Sequence, residues 1–290
     1  MRVLLASDGS NDSRRAARWL REFPLPSDTE VFVLTVATLT EPPRDSHTMR
    51  ELRASVVAEA HRAGERAAKV LRRKWPAVDT VVTQGDPQVE IIRVAEETRV
   101  DMIALGARGF GRLARLFVGS TSLAVARYAP CPVAIVRGRP RRVRRILVAV
   151  DGSDGSRAAL RFLSISELGR DTPVSLLHVI PMSVVPGLRQ TVTSLPDQQL
   201  DDDRRKQEAD ADEILADAAA ILGEARGPVE RLVSEGDPAR EIVRSVRSRD
   251  VDLVILGARG LGTIGRLLLG SVSETVLHHV GRPVVIVRDR

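Results

Sequence analysis

Short apolar runs alternate along this chain with longer segments whose apolar residues recur every three or four positions. Val3 to Ser7 is the first such run, and Ala16, Ala17 and Leu20 follow at helical spacing. Val31 to Val36 is a β-branched run of strand length. Leu52, Val56, Ala60, Ala63, Ala67 and Val70 then mark one face of a long helix. Val81 and Val82 indicate a third strand. The Gly-Asp-Pro after it offers Asp86 as a helix N-cap and Pro87 as the first helical residue. Met102 to Leu105 predicts a fourth strand, Ser120 to Tyr128 a further helix and Val133 to Val136 a fifth strand. Strands apolar on both faces, alternating with helices, predict an α/β fold with a mainly parallel sheet.

The pattern occurs twice. "LLASDGSNDSRRAARWL" from Leu4 aligns with "LVAVDGSDGSRAALRFL" from Leu147, and "GDPQVEIIRVAEETRVDMIALGARG" aligns with "GDPAREIVRSVRSRDVDLVILGARG". The spacing between copies widens from 143 positions (Asp8 to Asp151) to 151 (Gly106 to Gly257). The second copy therefore carries about eight extra residues, tolerable in a surface segment; the Pro-, Gly- and Asp-rich "VVPGLRQTVTSLPDQQLDDD" is where they are expected. Two copies of this size predict two similar domains, 1–140 and 141–290, each with a doubly wound, mainly parallel five-stranded sheet of Rossmann-like type.

Composition narrows the class. The 290 residues suffice for two ordinary cores, and the apolar runs are too short to cross a bilayer. One cysteine, Cys131, sits between two prolines and reads as a small buried filler in a reducing compartment. With no secretory pattern at Met1, the expectation is a cytoplasmic protein without membrane contact. The net charge is +6, carried almost wholly by arginine, while aromatics make up 3% and leave little for stacking on bases.

Candidate chemistry centres on "GARGFGRLARLFVGSTS" and its repeat "GARGLGTIGRLLLGSVS". Each follows the fourth strand of its copy, at the carboxyl end where doubly wound sheets hold ligands. Gly106 and Gly109 are expected to let the backbone turn and approach a ligand closely. Gly119 and Ser120 fall at a helix start, where unpaired N–H groups and the dipole favour an anion. Arg108, Arg112 and Arg115 can offset phosphate charge. Asp8 and Asp151 end the first strand of each copy and can accept from a ribose hydroxyl if that strand neighbours the fourth. Val36 and Val179 end the second strand, a position suited to an adenine edge.

The Gly-x2-Gly-x9-Gly-Ser spacing at Gly106, Gly109, Gly119 and Ser120 recurs at Gly257, Gly260, Gly270 and Ser271. With "DGS" after the first strand and "GDP" before the third helix, it resembles the universal stress protein family in its tandem two-domain form. The resemblance covers nearly the whole chain. It implies an adenine nucleotide alpha hydrolase-like fold, ATP as ligand, no established common reaction, and two domains packed through their last strands like a dimer within one chain. Carried over by position, the first site comprises Ala6, Asp8, Val36, Gly106, Ala107, Arg108, Gly109, Gly111, Arg112, Gly119, Ser120 and Thr121. The second comprises Ala149, Asp151, Val179, Gly257, Ala258, Arg259, Gly260, Gly262, Thr263, Gly270, Ser271 and Val272. Ala6 and Ala149 stand where many tandem members have glycine. Thr263 and Val272 replace Arg112 and Thr121, so the second site keeps fewer phosphate-binding side chains. Magnesium is ATP's natural companion, although no carboxylate cluster fixes it. A protein partner and further pairing of chains stay open.

Other chemistries fare worse. Gly260, Gly262 and Gly265 spell G-x-G-x-x-G, but after the fourth strand instead of the first, and Ala114 breaks the match in the other copy. No lysine follows a glycine, which removes a G-x-x-x-x-G-K-[ST] loop. Ser10 and Ser153 have no repeated histidine as a base. Glu274 can orient a water for slow ATP hydrolysis, but neither Leu123 nor Ala124 matches it in the first copy. "VRGRPRRVRR" resembles a minor-groove DNA hook, yet it joins the two repeats, and a solvated linker with Arg139, Arg141 and Arg142 is the expectation over a nucleic-acid site. His61, His278 and His279 lack metal-ligand spacing, and His178 gives way to Thr35 in the first copy.

Overall fold

The structure is a computed structural model of the chain, and it describes residues 1–38, 47–109, 118–167, 172–181, 197–223, 227–261 and 269–288. The first half runs β1 (Arg2–Ala6), α1 (Asn11–Glu22), β2 (Glu30–Ala37), α2 (His47–Leu71), β3 (Val78–Gln84), α3 (Pro87–Thr98), β4 (Met102–Gly106), α4 (Ser120–Tyr128) and β5 (Val133–Val136). The second runs β6 (Ile146–Ala149), α5 (Asp154–Ile165), β7 (Val174–Pro181), α6 (Asp197–Leu222), β8 (Val229–Gly236), α7 (Pro238–Ser248), β9 (Leu253–Gly257), α8 (Ser271–His279) and β10 (Val284–Val287).

The strands form one ten-stranded sheet in the order β3-β2-β1-β4-β5-β10-β9-β6-β7-β8. Each half is a parallel five-stranded sheet. The halves meet where β5 and β10 pair antiparallel, with Val133 opposite Ile286 and Ile135 opposite Val284. The two predicted sheets are thus joined edge to edge through their last strands.

Alternate residues of each strand face opposite layers. Leu5, Val33 and Met102 pack with Trp19, Leu71 and Trp75 of the α1–α2 side. Leu4, Leu34 and Ile103 pack with Ile91, Val94 and Val125 of α3 and α4 on the other. Trp75 donates its indole N–H to the Pro26 carbonyl at 2.9 Å, so its polar edge is satisfied although the ring is buried. Cys131 is buried, as its setting indicated.

Two expectations need correction. Leu52 is 51% exposed, and the apolar stripe of α2 enters the core only from Ala60. A helix of 25 residues spans about 37 Å, longer than the roughly 26 Å of the eight-residue β2. Its first turns therefore project past the sheet. The basic linker is also docked instead of wholly solvated. Val143 is buried, Arg141 reaches Asp250 at 3.2 Å and Asp252 at 3.6 Å, and Arg145 donates to the Arg249 carbonyl. Gly138 has a φ of 78°, and a Cβ there would lie 2.6 Å from the Gly281 carbonyl.

Candidate functional site

β1 and β4 are neighbours, with Ala6 opposite Leu105, and the chain leaves them towards opposite layers. A crevice opens at their carboxyl ends, the switch point of an α/β sheet. β6 and β9 repeat the arrangement in the second half. Asp8, Gly106–Gly109 and the start of α4 converge on the first crevice. Asp151, Gly257–Gly260 and the start of α8 converge on the second. Gly111, Arg112, Arg115, Gly262, Thr263 and Gly265 lie outside the described residues.

The glycines have packing roles. None of Gly106, Gly109 and Gly119 has a positive φ. A Cβ on Gly106 would fall 2.6 Å from the Asp12 carbonyl carbon and 2.8 Å from Ser13 N. One on Gly257 would fall 2.5 Å from the Gly155 carbonyl carbon. These two glycines let the fourth strand press against the first turn of α1 or α5. On Gly109 the Cβ would lie 2.6 Å from Asp8 Oδ2, and Gly260 stands the same way to Asp151. Here the missing side chain makes room for a carboxylate.

Helix starts separate into two kinds. Ser10 Oγ accepts from Ser13 N–H and Ser153 Oγ from Ser156 N–H, both at 3.2 Å, capping α1 and α5. Asp86 Oδ1 accepts from Gln88 N–H at 2.7 Å and Asp237 Oδ1 from Arg240 N–H at 2.9 Å, capping α3 and α7. α4 and α8 begin after Gly119 and Gly270, and among the described residues no side chain caps them. Among the described residues, no acceptor meets the N–H groups of Ser120 to Ser122 or of Ser271 to Ser273. The N–H groups of Gly119 and Gly270 themselves are not available. Each donates at 2.8 Å to Ala107 or Ala258, which sets the helix start against the strand end. Ser120 and Ser271 are exposed at these starts, and Thr121 and Val272 are half-buried. Ser122 and Ser273, which sequence reasoning missed, are buried and donate to the Gly106 and Gly257 carbonyls at 2.8 and 2.7 Å. Their recurrence in "GSTS" and "GSVS" was the available signal.

The remaining groups differ between halves. Asp8 is exposed and accepts from Ser10 N–H at 2.9 Å. Asp151 accepts from Ser153 N–H, Ser153 Oγ and, through its other oxygen, Leu261 N–H at 3.2 Å; the counterpart of Leu261 in the first half, Phe110, lies outside the described residues. Arg108 turns to Asp12 at 3.2 Å, a carboxylate already 2.7 Å from Arg15. In the repeat Asp12 becomes Gly155, which abuts the Arg259 carbonyl. Val36 and Val179 sit near the end of β2 and β7, and His178 Nδ1 lies 2.9 Å from the Val150 carbonyl. Beside Asp151 and Leu261 lies a cavity of about 280 Å³ with Ile214, Asp217 and Ile221 on its wall. A groove of about 610 Å³ runs from Ser271 and Val272 along α7. Glu274 is drawn into an ion pair with Arg127 of the other half at 2.7 Å.

The sequence model of the universal stress protein family matches residues 1–137 and again 142–288. The chain belongs to the universal stress protein family. It is 31% identical over 307 aligned positions to a universal stress protein of Mycobacterium tuberculosis, covering 99% of this chain and 97% of that one. A universal stress protein of Bacillus subtilis is 32% identical over 145 positions, which take in 98% of that protein and 50% of this one. The family unit is therefore one half of this chain, and the tandem form is shared with the mycobacterial relative. A crystal structure of a universal stress protein from Archaeoglobus fulgidus superposes with a TM-score of 0.66 at 23% identity, covering 99% of this chain and 96% of that one, and shows the same fold. Among the described residues no helix is long and apolar enough to cross a membrane.

Proposed function

We propose that this tandem universal stress protein binds an adenine nucleotide, ATP foremost, in each of its two crevices. The observation that carries the reading is the pair of uncapped helix starts. Among the described residues α4 and α8 start without a side-chain cap at a switch point, whereas the N-cap side chains of Ser10, Asp86, Ser153 and Asp237 cap α1, α3, α5 and α7. A row of phosphates supplies the missing acceptor and meets the positive end of the helix dipole. Family membership supports the same ligand class. The phosphates lie on the amides of Ser120 to Ser122 and of Ser271 to Ser273, with the hydroxyls of Ser120, Thr121 and Ser271 beside them. Asp8 accepts from a ribose hydroxyl with lone pairs left over from its bond to Ser10. Val36 and Val179 line the adenine end.

Function then follows from occupancy: bound nucleotide favours one surface of the protein over another, and a partner reads the difference. The test is thermal unfolding of the nucleotide-stripped chain in millimolar ATP, AMP, GTP or CTP. A ligand at a hundred times its Kd stabilises the fold by about 2.7 kcal/mol per site. A rise in Tm with adenine nucleotides and a smaller one with the others is expected. Unchanged Tm with every nucleotide overturns the proposal.

A further inference from the structure

One helix of the second half touches both crevices. α8 begins at the second uncapped start, Gly270–Ser271, and ends nine residues later at His278 and His279. There His278 Nδ1 accepts the Val118 N–H of the first half at 3.3 Å. Val118 is buried and immediately precedes Gly119, whose own N–H is held by the Ala107 carbonyl. The two bonds, one from each half, fix the peptide that enters α4. The same face of α8 carries Glu274, both of whose oxygens meet Arg127 of α4 at 2.7 and 2.8 Å. At the spacing of the repeat, His278 corresponds to Arg127 and Glu274 to Leu123. The residue types that make this link are therefore not duplicated.

We infer that His278 is a positioning residue for the first half's phosphate site, through which the second half sets how well the first binds its ligand. The inference rests on the nucleotide reading above. An imidazole can accept from Val118 N–H only while Nδ1 carries no proton; the imidazolium has two donors and no acceptor. Protonation turns the Val118 amide from a held group into an unpaired one facing a second donor, and the entry to α4 loosens. Burial holds the His278 pKa below the ordinary histidine value. Around it, Glu274 on its own helix favours the charged form, while Arg137, His279 and Arg127 oppose it. The accepting form therefore prevails at neutral pH and is lost in acid. By reciprocity, a ligand on α4 that tightens this seam makes His278 harder to protonate.

The test is calorimetric titration of the full chain with magnesium-ATP at pH 7.5 and pH 5.0, for the native protein and for His278→Asn and His278→Ala. Asn keeps an acceptor at the position of Nδ1 and does not titrate. In the native chain, one of two fitted sites is expected to weaken by about threefold or more in acid, the scale of part of one hydrogen bond. His278→Asn is expected to hold that site's high-pH affinity with a flatter profile, and His278→Ala to be weak at both pH values. Protonation of ATP itself affects all three proteins alike and cancels in the comparison. Superimposable pH profiles for the native and Asn chains, or native affinity in the Ala chain, overturn the inference. No ATP heat in the native chain at either pH overturns the nucleotide reading and this inference with it.

Discussion

Gly119→Asp separates stability from binding. The residue has a φ of −68°, open to any side chain, and a Cβ there meets the Ala107 carbonyl at 3.4 Å and Arg108 Cα at 3.6 Å. Both are ordinary contacts, so the substitution fits. Aspartate then supplies the cap that α4 lacks. Asp over Gly at an N-cap is worth a few tenths of a kcal/mol, and a carboxylate at the positive end of the helix adds about 0.3–1 kcal/mol. The unliganded protein should gain about 0.5–1.3 kcal/mol, or roughly 1–5 °C in Tm for domains of this size. Binding moves the other way. The new carboxylate takes the amides that a phosphate needs and stands about 4 Å from its charge, a repulsion of about 1 kcal/mol in water and about 4 kcal/mol at an effective dielectric of 20. A loss near or above 1.4 kcal/mol is a tenfold or greater weakening. Differential scanning fluorimetry with and without magnesium-ATP reads both effects. A variant that is destabilised, or that keeps the native shift with ATP, refutes the reasoning.

Further substitutions probe the scaffold around the site. Gly257→Ala places a methyl 2.5 Å from the Gly155 backbone and should cost about 1–3 kcal/mol in urea unfolding, because backbone cannot swing aside as a side-chain tip can. Ser273→Ala leaves the buried Gly257 carbonyl without its 2.7 Å donor and should cost about 1–3 kcal/mol by the same measurement. Trp75→Ala, in the core beneath α2, should cost about 3–5 kcal/mol while leaving the α3–α4 layer packed. The linker arginines should confer no steeply salt-dependent DNA binding, measured by fluorescence anisotropy of a duplex across 50–200 mM salt in the range where phosphate contacts are expected to act, since Arg141 is already paired to Asp250 and Asp252.

Local features of this fold were legible in the sequence. The bounds of α4 and β5 follow from their apolar spacing, and Asp86 caps α3 as its Gly-Asp-Pro context requires. The duplication was legible because whole strings recur. What escaped was long-range. Gly106 also makes room for the first turn of α1, more than ninety positions away, a contact that no local spacing announces. The Asp12 carboxylate beside Arg108 comes from the first turn of α1, 96 positions earlier, and no local pattern announces it. Glu274 had one reading as a water-orienting group, and its partner Arg127 lies 147 positions earlier, across the β5–β10 seam. Apolar spacing also cannot report where a sheet stops beneath a helix, which is why Leu52 was assigned to a face that only becomes buried further along α2.

The central claim is that the two uncapped helix starts each cradle one nucleotide. Its most direct test is the stoichiometry of magnesium-ATP binding by calorimetry for the native chain, Gly119→Asp, Gly270→Asp and the double variant. Two sites for the native chain, one for each single variant and none for the double are predicted. Equal stoichiometry in all four proteins, or none in the native chain, would contradict it.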